Sequence, residues 1–253
     1  MQRLSILPVL LALCASVFPV AAQQQNTLTP AELREGWKLL FDGKTLNGWM
    51  WSTAASPPVP CWAADGGTLH TTPGDGKKVY LLTRESFTDF EFAFEWKADP
   101  KANSGVKYRM QGYGGGAGPL QPEPHEAAGR IEPTGLEYQI ADDDANPDAV
   151  SDPRHATAAI YEYWPANKLS LAGANVWHTG KILVRGRHIE HWLDDRKVVD
   201  VNLADPLVIV SFNKSRRKQS AALFVAHERR TSPIALQMHD ATVWFRNLKV
   251  RPL

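Results

Sequence analysis

Between residues 90 and 97 apolar and polar side chains alternate without a break: Phe90, Phe92, Phe94 and Trp96 against Glu91, Ala93, Glu95 and Lys97. Successive side chains of an extended chain point to opposite faces, so this is a strand with four aromatics on one side. Four aromatics on one face need an opposing layer, which predicts two packed sheets. The same period runs through residues 134–141. There Leu136, Tyr138 and Ile140 share one face, Glu137 and Gln139 the other, and the strand runs into Asp142, Asp143 and Asp144. That pattern suits a sheet packed on one side and open to a polar ligand on the other.

The rest of the chain reads as short strands punctuated by turns. Residues 23–26 are polar and expected to be disordered. Thr29, Pro30 and Glu32 are the N-cap, first position and capping-box residue of a helix that Gly36 ends after about two turns. Residues 37–41 begin a strand, and Asp42-Gly43 is a turn signal. Strands at 67–71 and 79–83 are expected to be joined by a Pro/Gly/Lys turn, and 104–110 to pair with the 90–97 strand. Residues 111–130 form a Gly/Pro-rich loop of a length that is usually functional. A polar loop at 145–155 and an extended, aromatic-rich segment at 157–164 follow. A meander over 176–201 turns at Gly186-Arg187 and at Asp194-Asp195, and 234–239 with 243–250 closes the chain as a hairpin around Asp240-Ala241. Many short strands with scarcely a helix and no linker or internal repeat predict one all-β sandwich domain over 36–253, after a tail and short helix at 23–35.

The first 22 residues have the form of a secretory leader: Arg3, an apolar run from Leu4 to Val17, and Val20-Ala21-Ala22 as the cleavage site. The run is too short to span a membrane, so the expectation is a soluble protein exported to the periplasm or the extracellular space. Cys14 would leave with the leader, Cys61 would remain alone, and no intramolecular disulfide would be possible. Without Arg3 the basic and acidic residues balance, 27 of each, and a nucleic-acid partner would ask for a basic excess. The one basic run, Lys214, Arg216, Arg217 and Lys218, reads as a solvated loop. Nine tryptophans suit a core, a carbohydrate groove, or both.

Several chemistries lack their motifs. The sequence has no phosphate-binding loop, dinucleotide fingerprint, Gly-x-Ser-x-Gly elbow or His-Glu-x-x-His pair. His188 and His191, three apart on one strand, fall on opposite faces and cannot ligate a metal together. Two polar pairs remain on open faces: Glu137 with Gln139, and Gln237 with His239. If their strands are neighbours, a carboxylate, an imidazole and two amides converge. Amides and carboxylates suit sugar hydroxyls, and Glu with His supplies a base and an acid near neutral pH. Arg109 joins them by the same alternation, with Trp164 for stacking and Lys168 just after it.

Five segments carry a resemblance. Residues 36–49 (Gly-Trp-Lys-Leu-Leu-Phe-Asp-Gly-Lys-Thr-Leu-Asn-Gly-Trp), 103–109, 135–143, 190–194 and 234–247 resemble, in order, the motifs of the 3-keto-disaccharide hydrolase family. The resemblance implies a concanavalin A-like jelly-roll β-sandwich of two curved antiparallel sheets, with ligand on the concave face. It also implies cleavage of glycosides oxidised at carbon 3, with Glu137, Gln139, Gln237 and His239 on matching positions. Lys107 stands where the family usually has an aromatic, Met238 replaces a more polar residue, and the 111–130 loop is long. The chemistry implied is removal of the carbon-2 proton, elimination of the group on carbon 1, and addition of water. Glu137 or His239 would be the base, with the other assisting the leaving group. Arg109, or a divalent metal ion held near Asp142 and Asp143, would stabilise the enolate. A sugar 3-oxidoreductase would have to act upstream. Two alternatives stand beside this: a non-catalytic, lectin-like carbohydrate-binding domain, and a glucanase-type hydrolase with paired carboxylates.

Overall fold

The computed structural model describes residues 24–52, 61–72, 79–113, 133–168, 170–215, 224–225, 231–239 and 241–253. The expected leader at 1–22, the 73–78 turn, the loop over 114–130, the basic residues 216–218 and Asp240 lie outside the described residues. The strands in order are β1 (Lys38–Leu39), β2 (Trp49–Trp51), β3 (Trp62–Asp65), β4 (Thr68–Thr71), β5 (Leu81–Thr83), β6 (Phe90–Ala98), β7 (Asn103–Tyr113), β8 (Pro133–Ala141), β9 (His178–Arg185), β10 (His188–Leu193), β11 (Arg196–Asn202), β12 (Ala235–Leu236) and β13 (Val243–Pro252). Among the described residues short helices accompany them, including α1 (Pro30–Arg34), α2 (Pro147–Ser151) and α3 (Pro206–Asn213).

The strands form two antiparallel sheets packed as a jelly-roll sandwich. One runs β11-β10-β9-β6-β13-β4-β3 with β1 also on β13, and the other β2-β5-β12-β7-β8. The aromatic face of β6 is the floor between them: Phe90, Phe92, Phe94 and Trp96 are buried and their alternate neighbours half-buried. Phe90 meets Tyr108 of β7 edge-on at 6.4 Å, and Phe94 meets Tyr138 of β8 at 5.3 Å. Gly180 on β9 makes room for this, because a Cβ there would lie 2.4 Å from the Phe94 ring. Cys61 is buried beside the same core.

A histidine lies in this apolar layer. His191 is fully buried, with Nδ1 2.8 Å from the carbonyl of Ala158 and Nε2 2.7 Å from the hydroxyl of Tyr108. Nδ1–H donating to the carbonyl leaves Nε2 as acceptor for the tyrosine O–H, which defines a neutral ring. Burial pushes its pKa down to about 4. His188 faces the other way, as its spacing requires.

Four local expectations are corrected by the pairing. Residues 67–71 and 79–83 do not form a hairpin: β4 pairs with β3 and β13, whereas β5 pairs with β2 and β12 in the other sheet. β7 is not the partner of β6, since the chain changes sheets at a corner. Lys101 takes a left-handed φ of 62° there, its N–H donates to Asp142, and Asn146 Nδ2 donates to the carbonyls of Lys101 and Ala102. β12 and β13 likewise belong to different sheets, so no closing hairpin exists. Residues 157–164 are turns with isolated bridges rather than a strand, with Ala158 and Glu162 at φ 65° and 68°.

Two segments are more ordered than expected. The 145–155 loop contains α2, capped by Asn146. Asn26 is buried, its side-chain amide donating to Gly67 and exchanging hydrogen bonds with Asn247, so residues 24–26 are not disordered. The capping box on α1 and the meander of β9, β10 and β11 with its two turns are as expected.

Candidate active site on the β7–β8–β12 face

The site lies on the face of the smaller sheet that points away from the core, and cross-strand register assembles it. Gly105 on β7 is opposite Gln139 on β8, and its carbonyl accepts the N–H of Gln237 just after β12. One row therefore reads Gln139, Gly105, Gln237. The next reads Glu137, Lys107, Ala235. Alternation holds beyond β12: Leu236 and Met238 enter the core, leaving Gln237 and His239 on the site face.

Gly105 is the floor. A Cβ there would lie 2.5 Å from Oε1 of Glu137 and 2.9 Å from its Cγ, so the carboxylate rests directly over the glycine. Its Oε2 is 3.6 Å from Nζ of Lys107, and both side chains are almost wholly buried, 2% and 1% exposed. Lys107 also stands 5.0 Å from the centre of the Tyr80 ring. On either side of the glycine are the two amides. Gln139 donates through Nε2 to Asn103 Oδ1 at 3.3 Å, and Gln237 through Nε2 to the Tyr80 hydroxyl at 3.1 Å. Each Oε1 is buried with no hydrogen-bond partner among the described residues. A buried acceptor left unpaired costs about 1–3 kcal/mol. Two of them beside one glycine form a place that awaits hydroxyl donors.

His239 is half-buried at one end of this face. It follows Gln237 by two residues, beyond the end of β12.

Not every residue expected here arrives. Arg109 does not follow the alternation. It sits in a β-bulge between Tyr108 and Gly112 with φ 48°, and its Nη1 donates to the carbonyl of Gly186 in the facing sheet at 2.7 Å. The bulge passes the site face to Met110, which packs with Tyr80, Leu82 and Ala235. Trp164 is half-buried against the core, and its backbone bridges Ile160. Lys168 pairs with Asp143 and donates to the carbonyl of Thr157; burial pulls its ammonium below the ordinary lysine range, against the upward pull of Asp143. Lys168 and Asp143 line a separate cleft beside α2 of about 550 Å³.

Asp142 and Asp143 do not suit a metal. Asp142 accepts the N–H groups of Lys101 and Asp144, and Asp143 those of Thr157 and Ala172 besides Lys168. Their oxygens hold the corner and the α2 loop together, and withdrawing them for a cation would orphan buried amides. Among the described residues one group has metal-ligating composition: His188, Glu190 and Asp200, on the outer face of the larger sheet. The Lys197 ammonium is already bonded to both of its carboxylates.

Lys107, Tyr80 and Gly105 were not anticipated as site residues. For Lys107 and Gly105 the signal existed, since alternation along β7 puts both on the face opposite Val106. Tyr80 arrives from outside any alternating strand.

A sequence model of the 3-keto-alpha-glucoside-1,2-lyase-like domain matches residues 36–251. A 3-keto-disaccharide hydrolase of Bacteroides thetaiotaomicron is 27% identical over 250 residues, 92% of this chain and 83% of its own. Two crystal structures from Parabacteroides distasonis, of proteins regarded as candidate glycosyl hydrolases, share the fold. One has a TM-score of 0.72 at 24% identity, covering 91% of this chain and 100% of that one. The other has 0.63 at 24% identity, covering 86% and 99%.

Proposed function

From the 3-keto-alpha-glucoside-1,2-lyase-like family, to which this chain belongs, we propose that the protein cleaves disaccharides or glucosides whose sugar carries a ketone at carbon 3. The observation that carries this reading is the Gly105 floor, with one carboxylate above it and an unpaired amide oxygen on each side, and His239 following two residues after Gln237. The amides accept ring hydroxyls. The carboxylate and imidazole divide the proton transfers.

The proposed reaction starts at carbon 2. Glu137 takes the proton, the C–H electron pair forms a carbon 2–carbon 3 double bond, and the carbonyl pair moves onto the carbon-3 oxygen. When that oxyanion re-forms the ketone, the double bond shifts to carbons 1 and 2, the bond from carbon 1 to the glycosidic oxygen breaks, and His239 protonates the departing alcohol. Addition of water across the new double bond completes hydrolysis. No step is assigned to a metal, because Asp142 and Asp143 are committed elsewhere. A glucanase-type mechanism needs two carboxylates flanking the bond. Among the described residues of β8, the partner of Glu137 on its face is the amide of Gln139.

The test is product formation from 3-keto-trehalose and a 3-keto-glucoside, with the unoxidised sugars in parallel and with and without chelator. Cleavage of the keto sugars alone, lost in Glu137→Gln with binding retained, is the expected result. Full activity in that variant removes Glu137 from the mechanism. Binding without cleavage of either sugar leaves a lectin-like module. Such a substrate requires an upstream enzyme that oxidises the carbon-3 alcohol. We also propose export through the 1–22 leader, to be checked by sequencing the mature N-terminus.

A further inference from the structure

We infer that Lys107 is a catalytic residue of this site, the cation that meets the oxyanion at carbon 3. The inference rests on the keto-glycoside reading above and adds to it the group that makes proton removal feasible. Taking a proton from carbon 2 places a full negative charge on the oxygen of the adjacent carbon. A base and a charge partner for that oxygen must therefore stand next to each other, one reaching the hydrogen and the other the oxygen. Glu137 and Lys107 are cross-strand neighbours, carboxylate and ammonium 3.6 Å apart.

The environment makes the charge effective. Both groups are nearly inaccessible to water. Inside a closed site a fixed ammonium acts at low local dielectric, where oxyanion stabilisation is strongest. The Tyr80 ring, 5.0 Å from Nζ, adds its own attraction for the ammonium. The other cations expected to serve are directed elsewhere: Arg109 to the Gly186 carbonyl, Lys168 to Asp143. Before substrate binds, the same ammonium is the charge partner of the Glu137 carboxylate. Once the proton has moved to Glu137, that carboxyl is neutral and the oxyanion replaces it as partner of Lys107. The net charge of the pocket is unchanged through the step, so no buried charge is left unpaired at any point.

The experiment separates proton removal from bond cleavage. The probe is the 3-keto derivative of 1,5-anhydroglucitol, which has hydrogen where the leaving group would be, so the enzyme can only exchange its carbon-2 proton. In deuterium oxide the wild-type protein is expected to exchange that position, and to cleave 3-keto-trehalose in a parallel assay. Lys107→Met, shown folded by its circular dichroism and melting curve, is expected to lose both activities by about 10²- to 10³-fold, the usual effect of removing an oxyanion partner. Exchange at the wild-type rate in the folded variant overturns the assignment of Lys107 and leaves the keto-glycoside reading standing. Exchange retained with cleavage lost also overturns it, by placing Lys107 on the leaving group. A wild-type protein that neither exchanges nor cleaves removes the underlying reading as well. Should Lys107→Met not fold, Lys107→Gln decides: it keeps a polar donor of similar length but removes the charge, and roughly a tenfold or greater loss of exchange is expected. Undiminished exchange in that variant overturns the proposal.

Discussion

Gly105→Ala tests the site without altering a single charge or hydrogen-bonding group. The added Cβ would stand 2.5 Å from Oε1 of Glu137, whereas ordinary contact begins at 3.4 Å. The carboxylate must therefore retreat by about 0.9 Å, in a buried place where it is paired with Lys107. A misplacement of about 1 Å in a reacting group can cost on the order of 10²-fold in rate. The backbone has no objection, since Gly105 is not among the residues at positive φ. The stability cost is then that of modest overpacking, about 1–2 kcal/mol, or a fall of a few degrees in melting temperature. The assay is turnover of a 3-keto-glucoside at saturating substrate, beside a thermal melt. Gly173→Ala is the control, because its nearest neighbour would be 3.9 Å away and neither outcome should change. Undiminished turnover in Gly105→Ala would refute the placement of the reacting carboxylate over this glycine.

Three further outcomes follow from the packing. The unfolded chain takes up a proton on His191 near pH 6.5 and the folded one only near pH 4. Stability present above pH 6.5 is therefore lost as the pH falls towards 4, by about 3 kcal/mol in all, measurable by urea unfolding at intervals across that range. A flat profile would mean that the ring is not held neutral. Asp152, drawn down to about 2 chiefly by its hydrogen bonds to Arg154, adds its loss only below its ordinary carboxylate value of 3.8, so the two windows separate. Gly180→Ala drives a methyl into the Phe94 ring, which Phe92 and Tyr138 hold in place, and should cost about 1–3 kcal/mol in a denaturant melt. Asp143→Ala strands two buried amides and the Lys168 ammonium, and a loss of about 3–5 kcal/mol is expected by the same measurement.

Much of the site was legible from alternation alone. Glu137 with Gln139 and Gln237 with His239 stand on one face because Leu136, Tyr138, Ile140, Leu236 and Met238 are claimed by the core on the other. Arg109 misled because the irregularity between Tyr108 and Gly112 sets four steps of β7 against two of β8 and breaks the period locally, and nothing in the local sequence marks such a bulge without a glycine at its left-handed position. The acidic run after β8 resembled a ligand cluster, yet its carboxylates serve as caps for a corner and a helix loop. Their hydrogen-bond partners, from Lys101 to Ala172, are spread over the flanking chain.

The sequence by itself determined which side of each strand is apolar, where α1 is capped, and where the β9–β10–β11 meander turns. These depend on residues within a few positions of one another: a period of two, a capping box, a pair of left-handed turn residues. Only the tertiary structure decided which strands are partners. β4 and β5, β6 and β7, and β12 and β13 are consecutive along the chain but lie in opposite sheets. In a sandwich both sheets offer the same kind of apolar face to the same core, so local pattern cannot distinguish pairing beside a neighbour from packing across it. The site depends on that distinction. Gly105, Gln139 and Gln237 form one row because the chain enters this sheet after Ala98, leaves it after β8 and returns to it between β11 and β12, bringing β8, β7 and β12 side by side.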